Sequence, residues 1–398
     1  MTGLPTTLGY RMYDADNHLY ETADAFTRYL PDDRRRDFFW TTDDAGHRHL
    51  VVGGRLWDYL PNPTFDPIGV AGCLTDVFAR GASMLEARNA GYTFEPLAGR
   101  PEYQHPGPRL ARMDDQGVDA TLLFPTLVSG LEEATADDPG LTADLVRSFD
   151  RWLDDHWGFA RDGRLFAVPV LSLADPDEAV RLLDWLLDRG ARAVMVRPAP
   201  VPTAQGMRSP GDPMFDPVWG RCQEAGTLVC GHLSASGYHR YTGDWTGVYQ
   251  MRPHLPQGPF AAIATHARAI MDFVTAMVVH GAVARHPRLR LVSVENGADW
   301  VPWLLSRFAV EHSRYPGSFP EDPVDAFERC VWVVPHWEEP VADLATHIPV
   351  ERILAGSDFP HTDGLADPTD FAKSLDGVGS DDARRILRDN LRQLLAAA

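Results

Sequence analysis

The stretch "MYDADNHLYE", residues 12–21, packs Asp14, Asp16, His18 and Glu21 into one short segment. In an extended strand alternate side chains share a face, so Asp14, Asp16 and His18 are expected to point the same way. Like charges crowded beside an imidazole call for a cation between them. Similar residues interrupt or close other apolar runs: Arg197 after "ARAVMV", His232 in "TLVCGHL", Glu295 and Asn296 after "RLRLVSV", His336 after "CVWVVP" and Asp358 in "RILAGSDFP". Asp16, His18, His232 and Asp358 make a nitrogen and oxygen donor set suited to one divalent ion, Zn2+ first and Mn2+ or Fe2+ as alternatives, with an open position for water. Taken singly, each has a plainer reading. His232 could be a core histidine bonded to a carbonyl, and Asp358 an Asx turn before Pro360. Glu21 is adequately explained as a carboxylate in the first turn of a helix.

The elements that would position these groups are eight short apolar runs: 11–18, 119–126, 165–173, 191–198, 227–233, 288–297, 330–337 and 352–360. Most are continuously apolar, as expected of parallel strands buried on both faces. Amphipathic helical patterns at 138–162, 175–190, 216–226 and 298–315 lie between them, and a last one begins at Ser380, read as its N-cap. The alternation predicts a (β/α)8 TIM-type barrel with an insertion after the first strand, residues 1–398 forming a single domain. Residues 24–110 are the expected insertion, an excursion capping the barrel mouth, with a β-hairpin turning at Gly53-Gly54 in "HRHLVVGGRLWDYL". A second excursion, 234–265, reads as a loop at the same end. In such barrels the active site sits at the C-terminal ends of the strands, where the singled-out polar residues fall.

Composition narrows the function. A formal charge of −19 argues against nucleic acid or an anionic membrane as partner and leaves a small-molecule substrate. The longest apolar runs, such as "AMVVHGAVA", are too short to span a bilayer, and "MTGLPTTLGYRM" lacks a basic start and an apolar core, so a cytoplasmic protein is expected. The four cysteines, Cys73, Cys222, Cys230 and Cys330, form no CxxC pair and read as free thiols. Lys373 is the single lysine, in an acidic surface-like segment, so Schiff-base chemistry and a carbamylated-lysine metal bridge are both disfavoured. No G-x-S-x-G occurs, which weakens a serine-hydrolase reading.

"DADNH", "RLARMDDQGVDATLLFPT", "GHL", "SVENGADWVPWLLSR" and "AGSDFPHTDG" together resemble the amidohydrolase-related family of the amidohydrolase superfamily, the group that includes aminocarboxymuconate-semialdehyde decarboxylase. The resemblance covers most of the chain from residue 11, and the excursion at 24–110 only loosely. It implies that Asp16 and His18 are the first-strand metal ligands, His232 the strand-five ligand and Asp358 the final one. Two positions depart from the pattern. The first ligand is often histidine where this chain has Asp16, and the strand-six position is histidine in the muconate-semialdehyde type where this chain has Glu295. Binuclear members carry the carbamylated lysine at the position of Arg197, so one metal ion is implied.

Asp358 is then the expected general base for a metal-activated water. His336 is expected to move a second proton, and His361 to bind or orient substrate; both have alternative readings as loop histidines. Arg197 is expected to hold a substrate carboxylate or, equally, to form a salt bridge with Asp16 or Glu295. Glu295 is a candidate ligand, proton shuttle or anchor. These roles predict a mononuclear metal-dependent hydrolase of a small carboxylated or cyclic substrate. The alternatives are non-oxidative decarboxylation of an aromatic or unsaturated acid, and a barrel that binds ligand without catalysis. A homodimer is compatible with the sequence.

Overall fold

A computed structural model describes residues 8–75, 93–249 and 258–398. The first two apolar runs form long, almost wholly buried strands, β1 (Met12–Leu19) and β2 (Val118–Pro125). Five more follow: β3 (Leu165–Ala167), β4 (Ala193–Val196), β5 (Leu228–His232), β6 (Arg290–Val294) and β7 (Val331–Val333). β1, β2 and β3 pair in parallel, as do β4, β5, β6 and β7. Single parallel bridges join the two sheets: Val170 to Met195, Val333 to Ile353, and Asn17 to Phe359. The eighth stave is therefore the extended segment from Ile353 to Phe359, and the circle closes as a (β/α)8 barrel.

Six of the eight expected strands are shorter than their apolar runs, the third, seventh and eighth most of all. Pro169 and Pro335 lack the N–H a ladder needs, so the regular strand ends before each. In the eighth stave the bridges fall at its two ends, and between them the Ala15 amide donates to the Ala355 carbonyl and the Ser357 and Asp358 amides to the Asp16 carbonyl. The helices start where acidic caps predict: Asp138 accepts from the Leu141 amide and Asp175 from the Glu178 amide, opening Pro139–His156 and Pro176–Leu187. Asp216–Ala225 stops at Gly226, whose φ of 70° is the left-handed stop glycine supplies. The last helix differs from expectation: its N-cap is Gly379, not Ser380, and a π turn at Arg385–Asp389 interrupts it.

The excursion after β1 contains the expected hairpin, Arg48–Val52 and Arg55–Trp57, turning at Gly53 and Gly54 with φ of 57° and 76°. A third strand, Phe38–Thr42, pairs on its other side. Phe38 and Phe26 stack 4.9 Å apart, and Phe26 stacks on Phe149, which fastens this sheet to the barrel's outer helix layer. Residues 76–92 of this excursion lie outside the described residues, as do 250–257 of the second. The second excursion is not simply a loop: it contains helices Tyr238–Thr246 and Gly258–Thr265. Two of its glycines sit at helix ends, Gly237 at the start and Gly247 at the stop, both with positive φ.

One stretch, Gly258–Val279, has the length and mean hydropathy, 1.4, of a membrane-crossing helix. Ala267, at φ 49°, breaks it in two, and the second piece buries Ile270, Phe273, Val274 and Met277 in the core.

Candidate metal centre and active site

The bulge in β1 decides what its acidic residues do. Between Asp14 and Asn17 the register with β2 slips by a residue, so strict alternation fails there. Asp14 turns to structure: its carboxylate accepts the Asp16 amide, the Asn17 side-chain amide, and both the amide and hydroxyl of Ser357. Burial raises this carboxyl to about 6. Asp16 and His18 stay together, Oδ1 and Nε2 being 3.2 Å apart with both side chains buried.

The other donors arrive from the far staves. Asp358 Oδ1 lies 3.3 Å from His18 Nε2, and its backbone amide donates to the Asp16 carbonyl at 2.8 Å. His232, the last residue of β5, places Nε2 3.8 Å from Asp16 Oδ1 and 3.2 Å from Glu295 Oε2. Glu295 Oε2 is also 3.7 Å from His18 Nε2. Glu295 and Asp358 both adopt left-handed φ, 57° and 56°, which is uncommon for residues with a Cβ and turns each just as it leaves its stave.

Among the described residues, Asp16 Oδ1, His18 Nε2 and His232 Nε2 are buried and have no hydrogen-bond partner. Buried polar atoms without partners are costly, and these converge within 4.8 Å of one another. A divalent cation satisfies all three at once. The residues fit the ion.

The electrostatics agree. Burial lowers His18 to about 3, helped by its neighbour His361, so its imidazole is neutral and able to ligate. Burial, Asp358 and Asp16 push Glu295 well above the usual carboxylate range; burial, Asp363 and Asp16 do the same for Asp358. Burial would raise Asp16 too, but the imidazoles of His18 and His232 outweigh it and hold the carboxyl low. Carboxylates pushed up by one another mark a pocket shaped for positive charge.

His361 joins the cluster directly. Its ring stacks on His18, centroids 4.1 Å apart, and its Nδ1 lies 2.6 Å from Asp358 Oδ1. Nε2 faces Thr126 Oγ1 at 3.2 Å, and that hydroxyl donates to the Leu19 carbonyl. Two sequence expectations fall differently. Arg197 does not pair with Asp16 or Glu295: its buried guanidinium donates to Glu133 at 2.7 Å and to the Ala235 carbonyl, leaving it committed within the protein and not free for a substrate carboxylate. The ring of His336 packs against Gly297 and, among the described residues, makes no hydrogen bond to the cluster.

Other contributors had no assigned role in the sequence. Arg109 is fully buried and donates to the Asn17 side chain, the His18 carbonyl at 2.7 Å and the Glu102 carbonyl. Its one signal is spacing: Arg109 and Met113, four apart, are the buried face of helix Pro106–Asp115. Glu21, a weak candidate, is buried with Oε1 on the Val128 amide and Oε2 without a partner. Arg240 shares Glu133 with Arg197 but stays 59% exposed. It lines a 340 Å3 cavity with Trp57, Tyr59, His239 and Tyr249. Burial raises the phenol of Tyr59, and its hydroxyl lies 2.8 Å from Ser129 Oγ, next along the chain to Val128, whose amide Glu21 accepts. A larger cleft of 520 Å3, around Arg329 and Arg352, lies at the opposite ends of the staves and holds none of these groups.

Comparison with known proteins places this arrangement. No curated protein matches the chain. The structure of amidohydrolase map2389c from Mycobacterium avium subsp. paratuberculosis K-10 is 42% identical, with a TM-score of 0.91, over 98% of this chain and 100% of that one. A dihydroxybenzoic acid decarboxylase from Polaromonas sp. JS666, solved with manganese and 2-nitroresorcinol, is similar in fold: TM-score 0.59, 14% identity, 97% of both chains. So is the 5-carboxyvanillate decarboxylase LigW2 from Novosphingobium aromaticivorans DSM 12444, solved with manganese: TM-score 0.54, 14% identity, 98% of this chain and 97% of that one. A family model described as amidohydrolase matches residues 13–396, nearly the whole barrel, and the chain therefore belongs to the amidohydrolase family of metal-dependent enzymes.

Proposed function

We propose that the protein is a mononuclear metal-dependent hydrolase of a small, carboxylated or cyclic organic substrate. Asp16, His18, His232 and Asp358 hold the ion in this reading, zinc or manganese being the leading candidates. The observation that carries it is the convergence of buried, unpartnered Asp16 Oδ1, His18 Nε2 and His232 Nε2 at the C-terminal mouth of the barrel. When bound, a divalent ion supplies a Lewis acid that polarises a substrate oxygen and acidifies water.

The chain's own groups handle the protons. Thr126 donates to the Leu19 carbonyl, so its oxygen accepts from His361 Nε2. That leaves the Nδ1 lone pair facing Asp358 Oδ1 at 2.6 Å, ready to share a proton once Asp358 has taken one up. Asp358 accepts a proton from the attacking water, and His361 holds or returns it. In this reading His361 is a partner of the base as well as a wall of the substrate site, and His336 moves the second proton. The substrate is proposed to occupy the cavity beside Trp57, Tyr59 and Arg240, where the exposed guanidinium suits a carboxylate better than the committed Arg197 does.

Decarboxylation of an aromatic acid is the second reading, favoured by the fold likeness to the two decarboxylases. Incubating the metal-loaded protein with carboxylated aromatics, lactones and amides in 18O-water separates the two. Label entering product supports hydrolysis; CO2 release without label supports decarboxylation; neither, across a panel that Asp358→Asn also fails to alter, would overturn both.

A further inference from the structure

Glu295 Oε2 faces His232 Nε2 across a gap that holds no hydrogen bond. His232 Nδ1 lies 2.9 Å from the Leu233 carbonyl, which only an N–H can satisfy, so Nε2 carries the lone pair. Glu295 Oε2 faces that lone pair at 3.2 Å, and Nε2 has no hydrogen-bond partner. Two lone-pair donors so close repel unless a positive centre lies between them.

The chain holds Glu295 there from both sides. Asn296 donates to the carbonyls of Gly231 and Val294, locking the turn onto β5 and β6. Beyond Gly297, the amides of Ala298, Asp299 and His336 all converge on the Glu339 carboxylate. The left-handed φ of Glu295 is maintained by that clamp. A loop free to relax would leave this conformation.

The spacing suits coordination. For metal–ligand bonds of about 2.1–2.3 Å, neighbouring donors on one ion stand roughly 3.0–3.8 Å apart, from octahedral to tetrahedral angles. Glu295 Oε2 to His232 Nε2 is 3.2 Å and to His18 Nε2 3.7 Å; the pairs of Asp16 and Asp358 with His18 are 3.2 and 3.3 Å. Glu295 stands to the histidines as the two aspartates do.

We propose that Glu295 is a fifth ligand of the ion, joining Asp16, His18, His232 and Asp358. The centre would then be three carboxylates and two imidazoles, an oxygen-rich set that accommodates Mn2+ as readily as Zn2+. This inference rests on the metal-centre reading above and makes a separate demand on it.

The test is Mn2+ binding followed by calorimetry, with the visible absorption of the Co2+-substituted protein, for wild type, Glu295→Gln and Glu295→Asp. Wild type is expected to bind one equivalent. Both variants are expected to bind at least about tenfold more weakly, with a changed Co2+ spectrum, the aspartate because it is one methylene too short. Wild-type affinity and spectrum in Glu295→Gln would overturn the fifth ligand while leaving the four-residue centre intact. Full rescue of affinity by Glu295→Asp with an unchanged spectrum would reduce Glu295 to a neighbouring charge and also overturn it. Absence of binding by wild type would instead overturn the metal-centre reading itself. Should Glu295→Gln not fold, Glu295→Asp decides alone by the same two readouts.

Discussion

Glu21→Gln tests whether the buried rim carboxylate is tolerated as a charge or as a neutral acid. Glu21 is 4% exposed, Oε1 accepts the Val128 amide, and Oε2 has no partner. Burial raises its carboxyl to about 7 from 4.5, the backbone amides of Leu127 and Val128 opposing the shift. The folded protein therefore binds the proton more tightly than the unfolded chain, and stability falls as pH rises through that window. The favourable contribution is complete below pH 4.5 and lost as the pH passes about 7. Integrated from about pH 5.5 to about pH 8.5, the wild type loses roughly 2 kcal/mol through this group. Glutamine keeps the acceptor on the Val128 amide and removes the titration. For 398 residues, at about 2.1 cal/mol/K each, 2 kcal/mol corresponds to a shift of about 2–3 °C in Tm. Thermal melts of metal-loaded wild type and Glu21→Gln at both pH values should show the variant gaining by that margin at the higher pH only. Parallel pH profiles, or a variant less stable at high pH, would refute the reasoning.

Other perturbations address the centre itself. Arg109→Met removes the donor to the Asn17 side chain and to the His18 and Glu102 carbonyls, and should cost about 2–4 kcal/mol by urea titration while also weakening Mn2+ binding. In Gly356→Ala the new Cβ would stand 2.6 Å from Asp16 Cβ and 2.5 Å from Val334 Cγ1, so Asp16 must shift; we expect a loss of about 1–3 kcal/mol and roughly tenfold weaker Mn2+ binding by calorimetry. Stripping the ion with a chelator should lower the Tm of wild type by about 3 °C relative to protein held at a hundredfold excess of metal over Kd, about 2.7 kcal/mol, and should leave Asp16→Asn unchanged. Identical melts for stripped and reloaded wild type would count against the centre.

The fold was legible in the sequence because parallel strands buried on both faces read as continuous apolar runs, and all eight positions carry staves. Their lengths were less legible, since hydrophobicity does not report the missing N–H of Pro169 and Pro335. Helix starts followed from Asp138 and Asp175; the interruption at Arg385–Asp389 left no trace in the apolar stripe. In the second excursion, glycines that cap helices resembled loop glycines until the register was fixed by packing.

What the sequence by itself determined was the type and placement of donors: Asp16, His18, His232 and Asp358 each close an apolar run, and the strand order brings those ends to one mouth. Ligand chemistry is a property of residue type, and parallel topology puts every strand end on the same rim. What only the tertiary structure decided was which neighbours each group keeps. The β1 bulge gave Asp14 to Ser357, Glu133 claimed Arg197, and the buried Arg109 clamped His18 from behind. The left-handed turn at Glu295 brought its carboxylate to His232. These are through-space contacts between residues far apart in the chain, set by distances and angles that no local pattern of residue types encodes.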